Sequence, residues 1–143
     1  MIDIESGLGF FKESHHIHYL GITFEGANGN EVALRMPYSD KIIGNPETGV
    51  IHGGSITTLL DTCCGLAMSW ARGKIEPNPT LDLRIDHMTA ATAKRDIIAK
   101  AETYRLTPSI AFIRGIALED GSDTVLAHAV ATFMIVKHKG IDV

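Results

Sequence analysis

The residues of this chain that could do chemistry cluster in residues 49–71, which read GVIHGGSITTLLDTCCGLAMSWA. Asp61 is the only charged residue among residues 53–71. An ionised carboxylate is expensive to desolvate, and Asp in the middle of a helix is a poor helix former that is not needed as a cap. No cation lies three or four positions from it along the helix. We therefore predict a catalytic role for Asp61, as general base or nucleophile, over a structural one.

Two glycines, Gly53 and Gly54, stand at the start of the same helical segment. The first N–H groups of a helix are unpaired and carry partial positive charge, and a glycine lets a carbonyl approach the backbone closely. Together these features predict an oxyanion site at the helix start. The alternative is that the glycines only permit a tight turn into the helix.

The spacing between these residues has a consequence for assembly. Gly53 and Asp61 are eight residues apart, which is roughly 12 Å along a helix axis. One carbonyl group cannot contact both within a single chain, so joint action requires two antiparallel helices in a twofold homodimer. The long, apolar final strand suits pairing at a sheet edge between such copies.

The rest of the chain predicts the elements that hold this helix. Residues 18–26 and 32–36 are predicted strands around a hairpin turn at Asn28 and Gly29, and residues 39–51 are a predicted loop. The helix is expected to end near Arg72 and Gly73. A meander of four strands is predicted to follow, and residues 2–14 have the pattern of a short amphipathic helix. The four predicted strands are residues 81–86, 97–106, 110–118 and 124–137.

This order predicts an α+β fold in which one long central helix is wrapped by a curved antiparallel sheet, within a single domain of residues 1–143. The helix carries too many Ser and Thr residues, besides Asp61, to span a bilayer. No leader peptide is recognised, and the adjacent Cys63 and Cys64 fit small buried side chains in a cytoplasmic protein.

Charge and composition narrow the function classes. The net charge is −4, with no extended basic block, which argues against general nucleic-acid binding. His15, His16 and His18 have no carboxylate or Cys spaced to complete a metal site, so no metal and no cofactor are predicted. A small ligand with phosphate groups stays possible, since a few local cations suffice to bind one.

The sequence resembles the PaaI-type thioesterases of the hotdog-fold superfamily. The resemblance covers about residues 44–135, and the predicted hotdog core is about residues 17–137. It is carried by Asn45, Gly49, His52, Gly53, Gly54, Asp61 and the run Thr80-Leu81-Asp82.

The resemblance implies hydrolysis of acyl-CoA thioesters at the interface of a homodimer, with Asp61 as the catalytic carboxylate and the Gly53 N–H polarising the carbonyl. His52 would orient the substrate and stiffen its loop, Thr80 would help to place the water, and Asn45 would lie near the thioester.

Residues 87–92 lack the Arg-Pro and Gly that relatives often carry, so the CoA-facing surface that the resemblance implies is expected to differ from the family pattern. The candidates to contact CoA are Gly54 at the helix start and the basic residues Arg84, Lys94 and Arg95. For each basic residue the alternative is a solvated surface charge.

Two other functions stay open. One is a hotdog dimer that binds acyl-CoA without turnover, and the other is a hydratase or dehydratase, which usually pairs a His with an acidic residue across the site. The acyl specificity, and the choice between a dimer and a homotetramer formed as a dimer of dimers, do not follow from the sequence.

Overall fold

The computed structural model describes residues 13–91 and 94–137. Most of the helix predicted for residues 2–14 therefore lies outside the described residues. A 3₁₀ turn at Asp40–Ile42 precedes the long helix. The helices and strands are α1 (His15–Leu20), β1 (Thr23–Asn28), β2 (Glu31–Met36), α2 (Gly53–Arg72), β3 (Thr80–His87), β4 (Ile97–Leu106), β5 (Ile110–Glu119) and β6 (Val125–Met134).

The strands form one antiparallel sheet in the order β1-β2-β4-β5-β6-β3, and α2 packs on one of its faces. The core lies between helix and sheet: Leu59, Leu60 and Cys63 of α2 are fully buried, as are Leu34 and Ile113 of the strands. This arrangement confirms the predicted α+β fold with a central helix on an antiparallel sheet.

The ends of α2 follow from local chemistry. His52 is the N-cap residue, and Gly73 follows the last helical residue with φ 72°, a left-handed conformation that favours glycine. The Gly73 N–H donates to the Trp70 carbonyl at 3.1 Å, and the Lys74 N–H donates to the Ser69 carbonyl at 3.2 Å. The predicted end near Arg72 and Gly73 is confirmed.

Two predictions about the sheet are wrong. β3 does not continue into a meander with β4, because β4 pairs with β2 and β5, and β3 takes the free side of β6 instead. The final strand is therefore interior, so it cannot pair at a sheet edge with another copy as predicted. Its interior position explains its apolar character on both faces, and it ends at Met134 rather than residue 137. The edge strands are β1 and β3.

The strand predicted for residues 18–26 is also wrong in its first part. His15–Leu20 forms α1, whose Ile17 and Leu20 share the buried face, three positions apart as a helix requires. Gly21 ends this helix with φ 71°, and only then does β1 begin.

The two cysteines are buried and unpaired. Burial raises the pKa of the Cys64 thiol to about 12, with the Asp61 carboxylate as a smaller cause. A buried, protonated thiol is a poor nucleophile, so both cysteines are packing residues. Among the described residues, no helix is both long and apolar enough to cross a membrane.

Candidate active site

The loop before α2 is held closed by its own backbone. Ile43 and Ile51 form an isolated antiparallel bridge, and the N–H groups of Gly44 and Asn45 donate to the Val50 carbonyl at 2.8 and 3.2 Å. The Asn45 Oδ1 atom accepts from the N–H groups of Glu47 and Thr48, at 3.0 and 3.4 Å. The side-chain oxygen of Asn45 is thus used inside the loop.

His52 caps the helix that follows this loop. Its Nδ1 accepts from the Gly54 N–H at 2.9 Å, and its backbone N–H donates to the Ile42 carbonyl at 2.8 Å. A Cβ atom on Gly54 would lie 2.9 Å from His52 Nδ1, and one on Gly44 would lie 2.9 Å from His52 Cα. The two glycines therefore make room for His52, whose ring lines an open groove together with Tyr19 and Lys41.

Gly53 is the first residue of α2, and its N–H has no acceptor among the described residues. It lines a second groove, of about 320 Å³, that also contains His87 at the end of β3. A Cβ atom on Gly53 would lie 3.4 Å from His87 Cε1 and 3.7 Å from both ring nitrogens. The free N–H that an oxyanion site needs is present, with an exposed imidazole beside it.

Asp61 lies two turns further along α2 and is hydrogen bonded to Thr80 at the start of β3. The Thr80 hydroxyl donates to Asp61 Oδ1 at 2.8 Å. Both side chains line a third cavity, of about 180 Å³, with Leu66, Ile75 and Phe133 among its walls. This geometry brings together two residues that the sequence predicted for one site, 19 positions apart in the chain.

The structure does not bring all the predicted residues together within one chain. Gly53 and Asp61 line different cavities, as the spacing argument requires. Asp61 is also less enclosed than its apolar sequence context suggests, because it is only half-buried in the isolated chain.

The basic residues predicted to meet CoA lie on the surface. Arg84 is ion-paired with Asp86 at 3.3 Å, and Arg95 lies 3.9 Å from a Glu119 carboxylate oxygen. Lys94 is exposed, with φ 71°, and has no ion pair within the described part of the chain.

Two residues beside the candidate site were missed from the sequence. His87 continues the inward row of β3 formed by Leu83 and Ile85, so the strand's alternation was the signal that could have found it. Asn78 lines the cavity of Asp61, and its Nδ2 donates to the Gly65 carbonyl at 2.8 Å. No pattern in the sequence marks Asn78, which lies in the irregular stretch before β3.

Comparison with known proteins agrees with this architecture. A family model described as the thioesterase superfamily matches residues 48–127. A Halobacterium salinarum protein named as a candidate esterase is 35% identical over 112 residues, covering 75% of this chain and 73% of that protein. A solved Pseudomonas aeruginosa structure is 46% identical, with a TM-score of 0.81 over 90% of this chain and 95% of that one.

The structure of E. coli PaaI, from the phenylacetic acid degradation operon, is 14% identical, with a TM-score of 0.80 over 93% of this chain and 92% of that one. The fold is the hotdog fold, one long helix on an antiparallel sheet. The chain belongs to the thioesterase superfamily, whose model matches more than half of it. The resemblance to PaaI-type hotdog proteins is confirmed for superfamily and fold.

The bond between Thr80 and Asp61 leads to a first prediction. Thr80→Ala removes one hydroxyl hydrogen bond, which is worth about 0.5–1.5 kcal/mol, so turnover should fall about 2- to 12-fold. Thr80→Ser retains the donor and should stay close to wild type. Steady-state kinetics on folded protein checks both variants; complete inactivity of Thr80→Ala would show that Thr80 has a larger role than placing Asp61 and water.

Proposed function

We propose that this protein hydrolyses acyl-CoA thioesters at the interface of a homodimer. The observation that carries the proposal is the Thr80–Asp61 hydrogen bond at the mouth of a cavity, on a chain whose helix start presents a free Gly53 N–H. Each of the two sites would combine Asp61 and Thr80 of one protomer with Gly53 of the other.

The proposed chemistry uses these groups in a definite order. Asp61 Oδ1 is held by the Thr80 hydroxyl, while Oδ2 has no hydrogen-bond partner among the described residues. Oδ2 takes a proton from water as the water oxygen attacks the thioester carbonyl carbon. The Gly53 N–H stabilises the resulting oxyanion. The C–S bond then breaks to give the carboxylic acid and the CoA thiolate, and the thiolate takes the proton held on Asp61 Oδ2, which restores the carboxylate.

A covalent route uses the same atoms. Oδ2 would attack the carbonyl itself, expel the CoA thiolate, and form an anhydride that water then hydrolyses. A single turnover in H₂¹⁸O separates the routes, because the anhydride route can leave ¹⁸O in the Asp61 carboxylate and the general-base route cannot.

The proposed dimer forms through β3, an edge strand whose outward backbone groups can pair with another chain. Its side chains restrict the pairing, since Leu83 and Ile85 pack towards the core while Arg84 is exposed. Directly opposite residues in an antiparallel pair point to the same face of the sheet. The twofold axis must therefore lie between one residue of β3 and the same residue of the partner strand. The residues near the middle of β3 that could take this position are Leu83, Arg84 and Ile85.

The charges on β3 favour the axis at Leu83. An axis at Arg84 would place this residue opposite its own copy and Asp82 opposite the partner's Asp86, so like charges would meet. An axis at Leu83 places Asp82 opposite the partner's Arg84, twice. An axis at Ile85 also pairs opposite charges, but it pairs a shorter part of the strand and leaves Thr80 further from the partner's helix start.

This pairing leads to a charge-reversal prediction. Asp82→Arg faces Arg84 of the partner subunit twice and should weaken the dimer by about 1–4 kcal/mol, or about 5- to 800-fold in Kd. The double variant Asp82→Arg/Arg84→Asp restores opposite charges and should restore the dimer. Sedimentation over a concentration series measures both. The control Asp40→Arg makes the same charge change at an exposed position of the 3₁₀ turn before α2. Equal dimerisation of Asp82→Arg and this control would rule out the Leu83 axis.

The remaining predicted contacts fit the proposal as follows. Arg84, predicted from the sequence to contact CoA, would act in the dimer contact instead, while the exposed Lys94 and Arg95 would meet the CoA phosphates. Asn45 and Gly54 would support the site from the loop and the helix cap. Two unpaired cysteines fit the proposed cytoplasmic location.

A thiol-release assay with a panel of acyl-CoAs tests the proposed function. The cavity beside Asp61 measures about 180 Å³, slightly more than the roughly 150 Å³ that holds benzene in an engineered protein cavity. The panel should therefore combine short linear and single-ring acyl groups with a long-chain control. Release of CoA at a rate that depends on Asp61 supports the proposal.

Other outcomes of that assay identify the alternatives. Saturable binding of acyl-CoA without thiol release would indicate a non-catalytic binding dimer. Hydration of an enoyl-CoA without thiol release would indicate a hydratase. A hydratase that pairs His52 with Asp61 has the weaker support, because the His52 Nδ1 atom is used by the helix cap and the His52 side chain lines a different groove from Asp61.

A further inference from the structure

We propose that His87 supplies a second hydrogen-bond donor to the thioester carbonyl, beside the Gly53 N–H. This inference rests on the proposed function, because it adds a residue to the same reaction. Two observations support it. The His87 imidazole lies beside Gly53, and other N–H donors at the start of α2 already have acceptors within the chain.

Nearly all backbone N–H donors at the start of α2 already have acceptors within the chain. The Gly54 N–H donates to His52 Nδ1 at 2.9 Å, and the Ser55 N–H donates to the His52 carbonyl at 3.0 Å. Only the Gly53 N–H has no acceptor among the described residues of this turn. An oxyanion site commonly uses more than one donor, from backbone or side chain. A second donor must therefore come from outside the helix.

His87 is placed to be that donor. It follows Leu83 and Ile85 on the face of β3 that meets α2, and its ring atoms lie 3.4–3.7 Å from the position of a Cβ on Gly53. Neither ring nitrogen has a hydrogen-bond partner in the part of the chain that the structure describes. The ring is exposed in a groove of about 320 Å³ at Gly53, which leaves space for a bound thioester.

His52, the histidine that the sequence pattern marks, does not meet these conditions. Its Nδ1 is an acceptor in the helix cap, and its ring lines the groove of Tyr19 and Lys41. His87 is the histidine that shares a groove with Gly53. The two rings therefore have different tasks: His52 holds the helix start, and His87 contacts the substrate.

The proposed dimer places His87 in the complete site. With the twofold axis at Leu83, the start of β3 in one protomer lies beside the end of β3 in its partner. Thr80 and Asp61 of one protomer then come close to His87 and Gly53 of the other. The carbonyl oxygen would receive hydrogen bonds from the Gly53 N–H and a His87 ring N–H, while water attacks from the side of Asp61.

Three variants test this role by kinetics. His87→Leu removes the donor and should lower kcat about 10²-fold, the usual effect of losing one oxyanion donor, with KM changed less than threefold. His87→Gln retains an N–H donor, so its kcat should be at least tenfold higher than that of His87→Leu. His128→Leu, a histidine on the outer face of β6, is the control and should match wild type. Thermal unfolding and sedimentation establish that each variant is a folded dimer.

A simple packing role for His87 would give a different result. His87→Leu would then retain kcat within about threefold, or His87→Gln would be as slow as His87→Leu, and either result would overturn the inference. In both cases the wild-type enzyme would still release CoA in an Asp61-dependent reaction, so the proposed function would stand.

A measurement on the wild-type protein does not depend on the variants folding or on turnover. The probe is a ketone analogue of an acyl-CoA, with CH₂ in place of sulfur and ¹³C at the carbonyl. We expect a downfield carbonyl shift on binding and a change in the ¹⁵N resonances of the His87 ring. An unchanged His87 ring with bound analogue would overturn the inference alone; failure of the analogue to bind would overturn it together with the proposed function.

Discussion

Asp61→Asn is expected to fold and dimerise normally but to lose hydrolysis by about 10²- to 10⁴-fold, the usual contribution of a positioned general base. The change keeps the volume and retains an Oδ1 atom that can accept the Thr80 hydroxyl, so the contact between α2 and β3 survives. What is lost is the basic oxygen that takes the proton from water. Thiol release under saturating acyl-CoA measures the effect.

The control for this variant is Asp123→Asn, an exposed Asp in the turn before β6 that makes the same chemical change. It should match wild type. Turnover near the wild-type rate in a folded Asp61→Asn dimer would refute the mechanism, whether Asp61 acts as base or as nucleophile. Full loss of activity with normal binding of acyl-CoA would locate the defect in the chemical step.

The sequence predicted the long helix and the bounds of single strands better than the order of the strands in the sheet. The ends of α2 are set by neighbouring residues, the His52 cap and the left-handed Gly73, and local signals of this kind can be read directly. Alternation of buried and more exposed residues runs through all ten residues of β5, whereas in β4 it is confined to residues 99–103. These features depend on backbone geometry within a few positions of the residues concerned.

The order of the strands depends on pairing between distant segments, which alternation does not encode. β3 is next to β6 because both sides of β4 are already used by β2 and β5. The strand predicted from residue 18 was wrong for another reason. α1 is only six residues long, and its two buried positions are too few to distinguish a helical period from a strand period.

Of the residues that the sequence predicted for the candidate site, the structure brings Asp61 and Thr80 together, whereas their surroundings were not predicted. Gly53 and Asp61 line different cavities of the single chain, and their joint action in a two-chain site stays a prediction. The half-exposed position of Asp61 could not be predicted from an apolar sequence context, because part of its proposed environment belongs to a second copy. His87 was missed because its role depends on where β3 ends relative to α2.

Gly53→Val is expected to abolish nearly all hydrolysis, whereas His52→Ala should retain part of it. A Cβ atom on Gly53 would lie 3.4 Å from His87 Cε1, which is tight but tolerable within one chain. The branched side chain would instead fill the groove in which the thioester carbonyl approaches the Gly53 N–H. The defect should therefore appear in activity, with a normal unfolding temperature and a normal dimer.

His52→Ala should show the opposite pattern. Loss of the imidazole leaves the Gly54 N–H without its 2.9 Å acceptor, and loss of an N-cap typically costs about 0.5–2 kcal/mol of stability. His52→Asn supplies another cap acceptor and should recover that stability. The Gly53 N–H itself is present in both His52 variants, so partial activity should persist. If Gly53→Val and His52→Ala were equally active as folded dimers, the oxyanion donor would have to lie elsewhere than at the start of α2.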